Sequence, residues 1–71
     1  MSWKPEFKVY NEEKFYQNGQ NFATKEEAEG SALRRYHSWM MAEAWKVVEV
    51  DSEEFPVNYT FEDGQDKSIV V

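Results

Sequence analysis

The side chains that could carry acid–base or metal chemistry in this chain are one histidine and a set of carboxylates. His37 is the single histidine and there is no cysteine, so thiolate catalysis and cysteine-ligated metal sites are excluded. No serine or cysteine nucleophile motif accompanies His37, so a catalytic triad is not supported. A metal site would need carboxylates such as Glu29 or Glu43, and their spacing does not single out a zinc site. We therefore interpret His37 as a structural or surface residue, and expect a non-catalytic protein with no cofactor and no metal.

Two further patterns match known sites only in part. The acidic segment Asp51–Glu54 offers carboxylates, but it lacks the alternating oxygen ligands and the glycine of an EF-hand loop. We interpret it as a solvated loop. Asn58-Tyr59-Thr60 matches a glycosylation acceptor, but it lies within a predicted strand and no signal peptide is recognisable at the N-terminus. We therefore do not expect glycosylation.

The charge balance argues against nucleic acid as the main partner. The formal net charge is −6, with 14 acidic and 8 basic residues, whereas phosphate recognition favours clustered lysine and arginine. A candidate basic patch comprises Arg34, Arg35 and His37; it could contact phosphate or an acidic partner, or it could balance the glutamates of the same helix. No stretch approaches the ~18 apolar residues of a membrane span. We expect no membrane association and a cytoplasmic location, which the absence of cysteine also fits.

The aromatic content is the feature that points to a partner. Aromatic residues make up 17% of the chain, and each large ring buries roughly 150–250 Å². Because one helix on a small sheet cannot easily cover all of them, we expect an aromatic sheet face that contacts a second copy or another protein. The alternative is an open aromatic face without a partner. The candidate residues are Trp3, Tyr10, Tyr16, Trp45, Tyr59 and Phe61.

The helix that must organise these side chains has a clear start. Thr24 and Glu27 have the spacing of a capping box, so the spacing predicts a helix from Lys25 to about Ala42. A helical period places one apolar stripe towards the core and places Ser31 and Gly30 on the polar side. The predicted stripe comprises Ala28, Ala32, Leu33, Tyr36, Trp39 and Met40.

Alternation and turn residues predict the strands on either side of this helix. The predicted strands are Glu6–Tyr10, Lys14–Gln17, Ala44–Val50 and Val57–Phe61. An Asp63-Gly64 turn precedes Ser68–Val71, which could pair back as a short terminal strand or fray. Apolar residues on both faces of Ala44–Val50 indicate either a central strand or a sheet that is covered on both sides. The order β-β-α-β-β predicts a single α+β domain over residues 1–71, with an antiparallel sheet of about three to five strands and one helix packed across one face.

Several of these segments resemble a group of short uncharacterised bacteriophage proteins, including cyanophage and related marine sequences. The resemblance spans roughly residues 6 to 62. It rests on the helix start Phe22-Ala-Thr-Lys-Glu-Glu-Ala28, on Trp39, on the strand Trp45–Asp51 and on Pro56-Val-Asn-Tyr59. It implies a small accessory protein in the host cytoplasm and supplies no catalytic residues. The segment from Arg34 to His37 is more basic than this group leads us to expect.

The sequence therefore predicts a non-catalytic protein-interaction module that forms a homo-oligomer, a dimer, or binds another protein through its aromatic face. One alternative is an acidic mimic of nucleic acid that inhibits a host nucleic-acid-binding protein. A second alternative is a weak binder of single-stranded nucleic acid that uses Arg34, Arg35, His37 and Lys46 beside exposed aromatic rings.

Overall fold

The computed structural model of the protein describes residues 1–69. Its elements are β1 (Ser2–Val9), β2 (Tyr16–Gln17), α1 (Lys25–Ser38), β3 (Ala42–Val50), β4 (Tyr59–Glu62) and β5 (Gln65–Ser68). The first three strands form an antiparallel sheet in the order β2-β1-β3, and β4 and β5 form a hairpin. The helix packs against β1 and β3 and also contacts β4. The predicted α+β class is confirmed, although the described strands are divided between two sheets.

The centre of the larger sheet is β1, so a central strand at Ala44–Val50 is wrong, whereas the other interpretation of this segment, a sheet covered on both sides, agrees with the structure. That segment belongs to β3, which forms an edge. Apolar residues occur on both of its faces because both faces of the sheet receive a cover. The helix lies on one face, and the turn after β3 returns towards the other, where Phe55 accepts a hydrogen bond from the Ser2 hydroxyl at 2.6 Å.

A proline in the central strand is tolerated because its nitrogen faces a gap. The N–H and C=O of Trp3 bond to Phe22, each at 2.8 Å, on the side of β1 away from β3. Antiparallel pairs alternate, so the nitrogen of Pro5 also points away from β3. On that side β2 pairs only with Glu6 and Phe7. Pro5 therefore costs no ladder bond to β3, and β1 extends back to Ser2 instead of starting at Glu6.

The helix begins as predicted and ends earlier. The Thr24 hydroxyl accepts the Glu27 N–H at 3.2 Å, which confirms the N-cap. The predicted end near Ala42 is wrong, because Trp39 already has extended dihedrals of −115° and 102°. Met40 and Met41 then form a turn that leads into β3.

Small side chains form the buried face of this helix. Ala28, Ser31 and Ala32 are buried, whereas Leu33 is 43% exposed and Met40 is 94% exposed. The predicted stripe is therefore wrong for Leu33 and Met40, and it is wrong in part for Trp39, whose ring contacts Phe7 but stays 37% exposed. Ser31 lies inside instead of on the polar side. Small residues allow the helix backbone to approach the sheet closely, and the buried rings of the strands then fill the core.

The β4–β5 hairpin turns at Asp63-Gly64, as predicted. Both residues have positive φ, 53° and 74°, as a two-residue hairpin turn requires. The strand before it starts at Tyr59 instead of Val57, and the early strand β2 is limited to Tyr16–Gln17. Of the predicted terminal strand, Ser68 belongs to β5, while positions 70 and 71 lie outside the described residues.

Candidate interaction site

Tyr59 and Phe61, two of the six predicted interface aromatics, pack the β4–β5 hairpin against the rest of the molecule. The rings of Tyr59 and Phe22 have centroids 6.3 Å apart. Phe61 lies so close to Gly30 that a β-carbon added to the glycine would be 2.6 Å from Phe61 Cε2. Both β4 aromatics are half-buried, so they pack inward.

Trp3 and Trp45 lie on the helix-facing side of the larger sheet. Trp45 is paired with the buried Phe7 across β1 and β3, and Phe7 contacts the Trp39 ring at the end of the helix with a centroid distance of 5.8 Å. Trp3 is paired with Glu49, four residues along the same face. Both tryptophans are half-buried.

Tyr10 and Tyr16 are the two exposed members of the predicted set. Tyr10 follows β1, and Tyr16 lies in β2, where its hydroxyl is 3.4 Å from Glu12 Oε2. The six aromatic residues are thus distributed over two sheets and the adjoining turn, and the structure does not bring them together on one face.

An exposed apolar cluster, which we call the turn patch, lies instead where the helix leads into β3. Its members are Tyr10 (52% exposed), Trp39 (37%), Met40 (94%) and Met41 (52%). The Tyr10 N–H donates to the Met41 carbonyl at 3.0 Å, which places the end of β1 beside the turn. Sequence reasoning missed this cluster because it assigned Trp39 and Met40 to the core stripe. The adjacent pair Met40-Met41 is the signal that could have indicated it.

The chemistry of the turn patch suits contact with another protein. Thioether side chains are flexible and polarisable, so they adapt to irregular surfaces. Trp39 and Tyr10 add rigid rings with one hydrogen-bonding group each. At the edge of the patch, Lys8 and Glu43 form an ion pair. An apolar centre with a polar rim is typical of protein interfaces.

The predicted basic patch is divided between two environments. Arg35 is directed towards the hairpin, where its Nη2 atom lies 3.7 Å from Asp66 Oδ2 on β5 and its charge is paired. Arg34 and His37 are exposed, and the His37 ring makes an edge contact with Tyr36 at a centroid distance of 5.9 Å. The three side chains therefore do not present one basic surface.

Asp66 also belongs to a polar cluster beneath the helix. Its Oδ2 atom accepts from Gln20 Nε2 at 3.1 Å, and the Ser31 hydroxyl lies 3.5 Å from Gln20 Oε1. Among the described residues, Arg35 Nε and Asp66 Oδ1 are buried without a hydrogen-bond partner. The cluster joins the helix to the hairpin and the segment before the helix.

Lys4 is buried on the face of the larger sheet that lies opposite the helix. Lys4 is 3% exposed, and its Nζ atom donates to Asn21 Oδ1 at 2.7 Å and lies 3.5 Å from the Gln20 carbonyl. The same atom is 5.1 Å from the centre of the Phe55 ring. Burial lowers the pKa of Lys4 from its usual value, an effect that Glu6 partly offsets. These neighbours enclose the amine, so we interpret Lys4 as a residue that stabilises the fold.

Asn58, the asparagine of the sequence that matches a glycosylation acceptor, is also part of this internal network. Asn58 Oδ1 accepts the Asn21 N–H at 2.8 Å, and Asn58 Nδ2 donates to the Gly19 carbonyl at 3.0 Å. Both ends of the side-chain amide are therefore engaged within the protein.

Residues 1–69 show neither a detectable cavity nor a group of three or more histidine, cysteine or acidic side chains placed to hold a metal ion. Within the same residues, no helix is both long and apolar enough to cross a membrane. Comparisons with protein-family models, with curated proteins and with solved structures give no match for this chain.

Proposed function

We propose that this protein is a non-catalytic interaction module that binds another protein through the turn patch. The observation that carries the proposal is the exposure of Met40, which leaves 94% of this apolar residue in water beside three more exposed apolar residues. Covering such side chains on binding releases about 25 cal/mol per Å² of apolar surface. The patch therefore offers a favourable contact that the isolated chain does not make.

The turn patch consists of four residues, which fits a small contact that can adapt to its partner. Its residues come from the end of β1 and from the turn before β3, so the backbone bond between Tyr10 and Met41 holds them together. Methionines at its centre accept partners of differing shape, while the Lys8–Glu43 pair limits its extent. A recipient apolar pocket on the partner would take Met40 or Trp39 as its anchor.

The resemblance to short bacteriophage proteins supplies the setting of the proposal, an accessory protein that acts in the host cytoplasm. A host protein is then the expected partner. The net charge of −6 favours a partner whose surface around the pocket is basic, because opposite charges steer the encounter.

The proposal is tested by capture from bacterial lysate with immobilised protein, compared between the wild type and two variants. Met40→Ser removes the most exposed apolar residue of the turn patch. Leu33→Ser is the matched control, since Leu33 is also exposed but lies on the helix outside the patch. We expect a stoichiometric partner that is retained by Leu33→Ser and lost with Met40→Ser. A partner captured equally by both variants, or no partner, contradicts the proposal.

The same experiment separates the two alternatives. An acidic mimic would hold a nucleic-acid-binding protein through carboxylates, so added salt would release it and Met40→Ser would not. A nucleic-acid binder would retain single-stranded DNA or RNA at low salt. The ion pair between Arg35 and Asp66 gives this second alternative less support.

A further inference from the structure

From an independent observation, the outer edge of β3, we propose that two copies of this protein pair through β3 as antiparallel strands centred on Val47. β3 spans Ala42–Val50 and pairs on one side with β1. Its other side has no backbone partner in the described part of the chain. An unpaired edge is a template for another strand, and β-strand addition is a common mode of recognition.

The direction of each β3 backbone group follows from the pairing with β1. The N–H and C=O of Trp3 are both used by Phe22, so the pair Trp3–Glu49 lacks mutual hydrogen bonds. Such pairs alternate along an antiparallel ladder. The N–H and C=O of Trp45, Val47 and Glu49 therefore point outward, away from β1.

The register of the pairing is set by the irregularity near the start of β3. The register between β1 and β3 shifts at Lys8/Val9, where β1 meets Ala42 and Ala44 and leaves Glu43 unmatched. The regular part of β3 therefore runs from Ala44 to Val50, and its midpoint is Val47. A two-fold axis at Val47 matches this whole segment with its copy and would form about six backbone hydrogen bonds.

Side chains at the edge are compatible with this register. Lys46 would lie opposite Val48 of the second copy, and Trp45 opposite Glu49, so no like charges face each other. A shift that centres the pairing on Lys46 would place two lysines together and Glu43 against Glu49. Charge pairing thus favours Val47 as the centre.

The charged residue that would normally protect such an edge is directed back onto its own sheet. Lys46 Nζ lies 4.3 Å from the centre of the Phe15 ring and 3.7 Å from Glu6 Oε1. Lysine side chains commonly discourage edge pairing. Here the ammonium is held over β1 and the segment between β1 and β2, which leaves the outward backbone of β3 accessible.

The second copy is the occupant because the segment is its own complement, and two-fold contacts are the commonest way in which copies associate. Each chain carries a net charge of −6, so repulsion opposes the pairing and salt relieves it. A single strand pair buries less surface than a stable dimer needs, so the dimer is weak. The two turn patches would lie near opposite ends of the paired strands, which leaves both free for the proposed partner.

Analytical ultracentrifugation over a wide range of protein concentrations tests this inference. We expect a monomer–dimer equilibrium whose dissociation constant falls as salt is added. Val47→Pro removes the outward N–H and is expected to weaken association at least tenfold, whereas Val47→Ala shortens the side chain, keeps the N–H and is expected to change it far less. Glu49→Pro, at a more exposed position with the same backbone direction, provides a second test if Val47→Pro does not fold.

A spin label tests the strand pairing directly, and it needs only one introduced cysteine because the chain contains none. Lys46→Cys would place two labelled backbones about 8 Å apart in the proposed dimer, which broadens the spectrum. A label at Glu26→Cys, on the helix, should stay sharp. A wild type that is monomeric throughout, a dimer unaffected by both proline variants, or a sharp Lys46→Cys spectrum overturns the inference. None of these results bears on capture through Met40, which tests the proposed function separately.

Discussion

Asn21 and Asn58 exchange hydrogen bonds in both directions. The Asn21 N–H donates to Asn58 Oδ1 at 2.8 Å, and the Asn58 N–H donates to the Asn21 carbonyl at 3.1 Å. Asn21 Nδ2 also donates to the Pro56 carbonyl at 3.0 Å, while its Oδ1 atom receives the Lys4 ammonium. The pair therefore joins the segment before the helix to the segment before β4.

Asn21→Ala is expected to lower the free energy of unfolding by about 3 kcal/mol, because it removes the shorter hydrogen bond of the buried Lys4 ammonium and the side-chain donor of the Pro56 carbonyl. Asn58→Ala is expected to cost about 2 kcal/mol for the loss of its two side-chain bonds. Urea unfolding of both single variants and the double variant measures the coupling between them. We expect the two effects to add to within about 0.5 kcal/mol, because Asn21→Ala keeps the backbone groups to which Asn58 bonds; a larger coupling energy would show that the loss of one side chain displaces the segment that the other holds.

Because of Lys4, we expect the free energy of unfolding to change with pH in the alkaline range. Its pKa is lowered in the folded state by burial, whereas in the unfolded chain it is about 10.4. Between these two pKa values the unfolded state binds more protons, so the contribution of Lys4 to stability rises as pH increases and levels off above the unfolded value.

The variant Lys4→Met provides the comparison, since it cannot titrate at this position. Urea unfolding from pH 7 to 10.5 should show the stability of the wild type rising relative to Lys4→Met as the pH increases. A difference that stays constant or falls over this range would contradict a lowered pKa.

Gly30→Ala should destabilise the protein although alanine favours helix by about 1 kcal/mol. The added β-carbon would lie 2.6 Å from Phe61 Cε2 and 2.8 Å from Cδ2, so the half-buried ring must move. We expect a net loss of about 1 kcal/mol from such overpacking. In the background of Phe61→Ala the same change should become stabilising. Thermal unfolding of the four proteins gives both signs, and a stabilising Gly30→Ala in the wild type would contradict the close contact.

Glu27 connects the start of the helix to β4. One carboxylate oxygen accepts from the Thr24 hydroxyl at 3.0 Å, and the other accepts from the Phe61 N–H at 3.3 Å. Glu27→Ala is expected to cost about 1 kcal/mol, and hydrogen exchange at the Phe61 amide should accelerate. Glu26→Ala, exposed in the same turn, is the control. Equal exchange rates in the two variants would show that the second bond does not hold β4.

Local sequence signals predicted the elements whose causes are local. Thr24 and Glu27 define the helix start, and Asp63-Gly64 defines the hairpin turn, because each depends on the backbone within a few residues. The end of the helix at Ser38 has no glycine or proline to mark it. There the chain turns at Trp39 because the Phe7 ring and the start of β3 receive it, and such contacts are not visible in a periodic pattern.

Burial was harder to predict than secondary structure. Ser31 is buried because the helix approaches the sheet closely and Gln20 lies beside its hydroxyl, whereas Leu33 and Met40 point to water. β1 was partly missed because Lys4 and Pro5 are unusual in a central strand. Lys4 is tolerated because Asn21 accepts a hydrogen bond from its ammonium group. Pro5 is tolerated because β2 does not extend to it, so its nitrogen faces no strand on that side. The turn patch was not predicted for the same reason, because the position of Met41 beside Tyr10 depends on a hydrogen bond between residues far apart in the sequence.

The position of β1 at the centre of its sheet also bears on how the protein folds. Residues 2–9 find their main partners in residues 42–50, so the larger sheet cannot close until the intervening helix and loops have been brought together. Contacts this distant in the chain slow folding, because loop-closure entropy is lost before they form. The helix can form early from its own cap, whereas the sheet on which it rests must wait for the two ends of a long loop to meet.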